Sequence, residues 1–333
     1  MFSHFSLPLR PQEIKMETKT GMEIKLAAEL LKAGKLVAIP TETVYGLAAN
    51  GFDAAAIAGI FEAKGRPHFD PLILHIANMD QVGRLTTSFP ENAKKLADRF
   101  WPGPLTLVLP KSDLVPDLAT SGLDTVGIRM PNHPMTRELL QLIDFPLAAP
   151  SANPFGYISP TTAQHVKDQL NGKIDYILDG GNCDVGIEST IVGFADNRIT
   201  ILRQGGISKE EIEEIVGEVY SNQISSSAPL APGMLLSHYA PRTPLIRGNI
   251  KTLAEKYASR KIAVLGFTST SDYTGIALSE NGDLNEAAQN LFSAMRTLDN
   301  SGFDLIIAEI FPERGLGLGI NDRLKRAESK TEV

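Results

Sequence analysis

Lys64 and Arg66 flank a single glycine, Lys64-Gly65-Arg66, and Pro67 stiffens the turn that follows. Two cations so close can be aimed at one anion. Arginine supplies a planar fork and lysine a point charge, a pairing suited to a polyphosphate. A helix C-terminus would favour the same residues without any ligand. Arg129 demands more. It interrupts the apolar run 125–131, and an unpaired buried charge costs several kcal/mol. It therefore requires a fixed anion, either an Asp or Glu of the fold or the carboxylate of a substrate. Arg203 closes the run 199–203 just before Gly205-Gly206, and His75 sits inside the apolar run 71–76. A histidine there is more simply a satisfied core residue than a ligand.

Hydroxyls and amides recur between these cations. The segment 40–47 carries Thr41, Glu42 and Thr43 ahead of Gly46; Ser151-Ala152-Asn153, Ser159-Pro160-Thr161 and Glu188-Ser189-Thr190 follow. Such groups bind small polar ligands when a fold gathers them at strand ends. Each also has a plain structural role, Thr161 as the cap of a helix above all. The lone cysteine, Cys183, has no nearby histidine in sequence and reads as a small buried hydrophobe.

The elements that would position these residues follow from periodicity. Apolar positions Ile24, Ala27, Leu30 and Leu31 with Gly34 as a stop predict a helix over 23–33, and 35–40 reads as a buried strand. Asp53 is placed to cap a helix running through Ala63. Strands are expected at 71–76, 105–109, 125–130, 146–150, 176–179, 189–194 and 199–203, and helices at 91–100, 134–143 and 161–170. Several of the connections are too short for a parallel crossover, so the sheet should be mixed. Prolines and a serine run make 221–244 a linker. Beyond it, a strand at 261–267, a helix at 284–298, a strand at 304–310 and a helix at 316–327 predict a second, smaller α/β unit. Residues 1–21 read as a polar lead-in, with Met16 and Met22 as alternative starts.

The 333 residues carry a net charge of −7. A surface that tracks nucleic acid is usually basic, so local cations on an acidic background point to a pocket for a small anion. The single cysteine excludes an internal disulfide and suits a reducing compartment. No run is long enough to span a membrane, and no secretory signal is expected. There is no G-x-x-x-x-G-K-[ST] loop, and no Cys/His spacing suited to zinc, so no protein metal site is expected. The residues alone lead to an α/β enzyme that binds a phosphorylated compound.

Taken in order, 40–47, Lys64-Gly65-Arg66-Pro67, 71–76, 125–131, Ser151-Ala152-Asn153, Ser159-Pro160-Thr161, Glu188-Ser189-Thr190 and Leu202-Arg203 resemble the YrdC-type threonylcarbamoyl-AMP synthases. Ala231-Pro232-Gly233-Met234, His238-Tyr239-Ala240-Pro241 and the glycine-rich 315–319 with Asn321 and Arg323-Leu324 resemble the linker and last domain of the long, two-domain form. The resemblance covers roughly residues 22–328. It implies a YrdC-like twisted mixed sheet with flanking helices over 22–220, a linker over 221–244 that contributes to the site, and a smaller Rossmann-like α/β domain over 245–333.

It further implies condensation of L-threonine, bicarbonate and ATP to threonylcarbamoyl-AMP and pyrophosphate, with Mg²⁺ accompanying ATP. The threonine amine would capture bicarbonate or its carbon dioxide equivalent, and the carbamate oxygen would attack the α-phosphorus. A cytoplasmic tRNA threonylcarbamoyl-transferase machinery would consume the product, with at most a weak tRNA contact by this chain. Carried over by position, Thr43, His75, Arg129, Ser151 and Ser189 would contact threonine. Arg66, Asp70, Thr125, Asn153, Thr161, Arg203 and Tyr239 would hold ATP, with Lys64 and Arg66 as the catalytic cations. Tyr239 would bring the linker over the pocket and exclude water. Asp70 departs from the family, which has Asn there; a carboxylate repels phosphate unless it acts through the metal. An RNA-binding module of the same fold, without adenylate synthesis, is the rival reading. A carbamoyl-phosphate-handling domain is another, disfavoured by the absence of cysteine pairs.

Overall fold

The computed structural model describes residues 17–195, 198–221, 231–232 and 238–329. The start of the expected lead-in with Met16, and most of the expected linker including Gly233 and Met234, lie outside the described residues.

Among the described residues the strands form an 11-stranded sheet and a separate 4-stranded sheet. The large sheet is mixed, as the short connections require. Val37–Ile39 runs antiparallel to Gly46–Asn50 and parallel to Tyr176–Leu178. Ile73–His75 is parallel to Thr125–Arg129 and antiparallel to Leu147–Ala148. Leu105–Pro110 is antiparallel to Thr125–Arg129 and parallel to Thr190–Ala195, which pairs antiparallel with Arg198–Arg203. Apolar helix faces cover the sheet. Leu31 of Ile24–Lys32 and Leu139 of Pro134–Gln141 join one core, Ile57, Ile60 and Phe61 of Ala54–Lys64 another.

The small sheet is all parallel, in the order Leu245–Arg247, Leu305–Ala308, Ile262–Gly266, Gly275–Ala277. Helices Ile250–Lys256, Leu284–Asp299 and Leu316–Ala327 pack on it. The two units share an apolar seam in which Val44, Ile158, Ile187 and Tyr239 pack with Leu291, Phe292, Ile320 and Leu324. Burial of each large side chain there contributes about 1.5–3 kcal/mol. Gly186 (φ +77°) permits the approach, for a Cβ on it would lie 2.4 Å from Gln289 Cα. No described helix is long and apolar enough to cross a membrane.

Several elements depart from expectation. Residues 46–50, assigned no element from the sequence, form a strand; Leu47, Ala48 and Ala49 include no β-branched residue, and pairing rather than propensity makes them extended. The polar lead-in contains the strand Lys19–Gly21, paired with Tyr176–Leu178. The helix expected from Thr161 starts at Ala163, and it is Thr162 Oγ1 that accepts from His165 N at 3.1 Å. Thr161 is thus no helix cap. The helix Lys209–Val216, with a Ser208–Glu211 capping box, was not foreseen.

Candidate active site

Strand register assembles the floor of the site. His75 pairs with Arg129 across one strand boundary and Arg129 with Thr106 across the next, giving a row of polar side chains in an apolar sheet. Ser189 ends the connection into Thr190–Ala195, and its hydroxyl lies 2.8 Å from that of Thr106.

Arg129 is 4% exposed and anchored on every side. Its Nη1 donates to Thr43 Oγ1 at 2.9 Å and its Nε to Gly103 O at 3.3 Å. Its Nη2 stands 2.7 Å from Glu42 Oε1, whose partner oxygen accepts from Asn132 N at 3.0 Å. The fixed anion that a buried arginine demands is thus Glu42. The Nη2–Oε1 contact is close but off the hydrogen-bond axis, so both atoms keep bonding capacity. Thr41 donates to Val44 O and lies 2.9 Å from the Thr43 hydroxyl, which fixes Thr43 between Thr41 and Arg129.

Arg203 grips the next strand end. Its guanidinium donates to Ser189 O and, at 3.0 Å, to Ser189 Oγ, while Nη1 reaches Pro232 O at 3.1 Å. Arg66 arrives from the opposite side. Asp53 caps the helix Ala54–Lys64, and Gly65 in the left-handed region (φ +61°) reverses the chain so that Arg66 turns inward. Arg66 donates to Asp70 O and Pro71 O and pairs with Asp70 Oδ2 at 2.9 Å. Burial raises the Asp70 carboxyl above its ordinary value, against the opposing pull of Arg66. The close contact with Oδ2 sets the Asp70 carboxyl against Arg66 as its counter-group, and its Oδ1 is buried without a hydrogen-bond partner.

His238 and Tyr239 close the arrangement. His238 N donates to Arg326 O, and Ala240 N to Gly156 O, so the segment is tied to both units. Tyr239 has φ +64°, a strained value for a non-glycine residue and one that persists only when its surroundings over-determine it. Burial holds the His238 imidazole well below its ordinary value, with Arg66, Lys64 and Arg203 acting the same way. Burial likewise pushes His75 down to about 3, with Arg129 adding to it. Both rings are neutral near pH 7. The His238 Nδ1 is buried without a hydrogen-bond partner.

These groups surround a cavity of about 50 Å³, space for a few waters. Thr43, His75, Arg129, Ser151, Ser189, Arg66, Arg203 and Tyr239 line it, as do Glu188 and His238. Other expected residues stand behind the wall. Lys64 is buried with its ammonium donating to Ser151 O and Asn153 O, and burial, then Arg66, holds it well below the usual lysine range. Asn153 donates to Pro154 O and Tyr157 O. Thr161 has its hydroxyl 3.4 Å from Ser293 Oγ, and Thr125 pairs with Pro110 at a strand end. Asp70 reaches the site through Arg66.

Glu42, Glu188 and Ser159 carry no assigned role in the sequence. The demand of Arg129 for an anion was the available signal for Glu42. Ser159 donates to Glu188 Oε1 at 2.5 Å, a bond between distant segments that no local pattern announces. Cys183 is buried, and burial pushes its thiol up, as expected of a core residue. No group of three or more potential metal-ligating side chains occurs among the described residues.

A family model described as "Telomere recombination" matches residues 29–205, and one described as "Threonylcarbamoyl-AMP synthase, C-terminal domain" matches residues 207–329. A threonylcarbamoyl-AMP synthase of Pyrococcus abyssi is 45% identical over 92% of this chain and 94% of its own length. One of Bacillus subtilis is 43% identical, covering 92% of each chain. The crystal structure of the P. abyssi protein Sua5 complexed with L-threonine superposes with a TM-score of 0.87 at 43% identity, covering 93% of this chain and 97% of that one.

Proposed function

The chain belongs to the threonylcarbamoyl-AMP synthases, and from that premise we propose how its cavity makes the adenylate. L-Threonine occupies the floor, its carboxylate at Arg129 and its polar atoms among Thr43, Ser151 and Ser189. Neutral His75 offers a ring nitrogen without adding charge. A relative of the same fold crystallised with L-threonine supports this substrate.

ATP enters from the side of Arg66 and Arg203, with Tyr239 against it. The observation that carries this reading is an imbalance of charge at the wall. Arg66 is paired with Asp70 and Arg129 with Glu42, whereas among the described residues Arg203 has no carboxylate within ion-pair distance. Arg203 is therefore the cation whose charge is left for phosphate. Lys64 supports the site from behind, since its ammonium fixes the carbonyls of Ser151 and Asn153. Asn153, Thr161 and Thr125 act by shaping the same loops. The cavity is too small for a nucleotide as it stands, so entry of ATP requires the His238–Tyr239 segment to withdraw and its return to exclude water.

The threonine amine attacks bicarbonate to give the N-carboxylate and water. A carbamate oxygen then attacks the α-phosphorus, the bond to the β-phosphate oxygen breaks, and pyrophosphate leaves. Orientation and preorganised cations supply most of the acceleration, with no covalent intermediate on the protein. Mg²⁺ accompanying ATP would neutralise phosphate charge, and Asp70, paired with Arg66 behind the cavity wall, would bear on it only through that arginine. The product passes to a transferase that modifies tRNA. Loss of a charged hydrogen-bonding partner is worth about 1.5–3 kcal/mol, so Arg203→Ala should lower kcat/KM for ATP by about 10- to 150-fold in a pyrophosphate-release assay. Near wild-type turnover would remove Arg203 from the phosphate site.

A further inference from the structure

Arg323 belongs to the helix Leu316–Ala327 of the second unit, yet its side chain is fully buried at the edge of the cavity. Its Nε donates to Glu188 Oε2 at 3.0 Å and its Nη1 to Gln204 O. Its guanidinium carbon lies 5.6 Å from the centre of the Tyr239 ring, which stacks on Phe292 at 5.6 Å and 27°. Its Nη2 is buried without a hydrogen-bond partner. Glu188 and Tyr239, the two groups that Arg323 holds, both line the cavity; Arg323 does not.

Stability gives little reason for this arrangement. A buried ion pair is commonly replaced by apolar residues of similar volume at no loss, because desolvation offsets the attraction. Geometry gives a better reason. Tyr239 has a strained backbone, which persists only where its surroundings over-determine it, and Arg323 and Phe292 both lie beside its ring. A guanidinium can set its carbon over the ring and its N–H groups on Glu188 and Gln204 at once, which a lysine cannot do. Glu188 carries the constraint onward, since its other oxygen accepts from Ser159 and its neighbour Ser189 is held by Arg203.

We infer that Arg323 is a positioning residue for the adenylation reaction, holding the Tyr239 ring and Glu188 in place so that the second α/β unit completes an active site built mainly by the first. The inference rests on the proposed contact of Tyr239 with ATP.

A double-mutant cycle on the full-length chain separates the two ideas. KM for ATP, KM for threonine and kcat are measured for the parent, Arg323→Lys, Tyr239→Ala and the combination. Arg323→Lys keeps the charge and the chance of pairing with Glu188 but loses the guanidinium over the Tyr239 ring and its bond to Gln204 O. Contacting residues couple by about 2- to 150-fold, and about tenfold is expected here. Arg323→Lys alone should raise KM for ATP about tenfold, with KM for threonine little changed. The double variant should be no worse than Tyr239→Ala. Losses that simply multiply, or an Arg323→Lys variant with parental kinetics, overturn the positioning role while leaving Tyr239 as an ATP contact. A Tyr239→Ala variant with parental KM for ATP overturns the Tyr239 reading itself, and the inference with it. If Arg323→Lys does not fold, Glu188→Gln takes its place in the cycle with the same expectations, because Glu188 fixes the guanidinium from the other side.

Discussion

Arg129 Nη2 lies 2.7 Å from Glu42 Oε1, with both side chains almost wholly buried, so the arginine at the floor of the cavity carries its own internal carboxylate. Before any ligand arrives, Glu42 holds the guanidinium against Thr43 and Gly103. In the proposed function a substrate carboxylate would meet a cation whose orientation is already set, which lowers the ordering cost of binding.

Glu42→Gln keeps the shape and loses the charge. Breaking a buried pair by removing one partner costs about 3–5 kcal/mol when the remaining charge has no substitute. The melting temperature should fall by several degrees without ligand. Millimolar threonine should recover more of the loss than it adds to the parent protein, because its carboxylate then serves Arg129 as the missing counterion. Equal thermal shifts on adding threonine to the two proteins would contradict this.

Acid should destabilise the fold through its buried neutral histidines. The folded-state value of His75 is about 3, against 6.5 in the unfolded chain, and that of His238 is also well below 6.5. The unfolded state therefore binds more protons below pH 6.5, and stability present above that pH is lost as pH falls toward 3. For His75 alone the loss at pH 4.5 is about 2–3 kcal/mol. Urea midpoints at pH 7 and 4.5 measure it, and His75→Asn should flatten the difference. An unchanged pH dependence in that variant would show that His75 titrates normally.

Gly186 tests the seam between the two units. A Cβ on it would strike Gln289 Cα, and its φ of +77° is unfavourable for alanine as well. Gly186→Ala should cost about 1–3 kcal/mol, the typical range for such strain. If the second unit supports Tyr239, the same variant should also lower pyrophosphate release. Thermal unfolding and turnover measured together check both, and full activity in a destabilised protein would separate the seam from the site.

The polar row of the site was legible in the sequence because His75 and Arg129 interrupt runs that are otherwise apolar, and period-2 alternation fixes them on strands. Their partners were not. Glu42 and Arg129 are brought together by sheet register, and Arg323 meets Glu188 only through the docking of a second unit. Thr161 and Thr162 are adjacent hydroxyls equally able to cap a helix; Thr162 caps it, while Thr161 O accepts from Cys183 N. Lys64 had the composition of a phosphate ligand, yet the turn at Gly65 sends it behind the wall and Arg66 toward the cavity. The placing of Tyr239 came from family resemblance, for nothing local directs that ring into the site.

The proposed function has the cavity of Arg66, Arg129 and Arg203 join threonine, bicarbonate and ATP into one adenylate. Its most direct test is mass analysis after incubation with ATP, L-threonine and carbon-13 bicarbonate. Threonylcarbamoyl-AMP carrying the label should form together with pyrophosphate, and Arg129→Met should abolish it. Pyrophosphate release without labelled adenylate, or labelled adenylate formed equally well by Arg129→Met, would contradict the account.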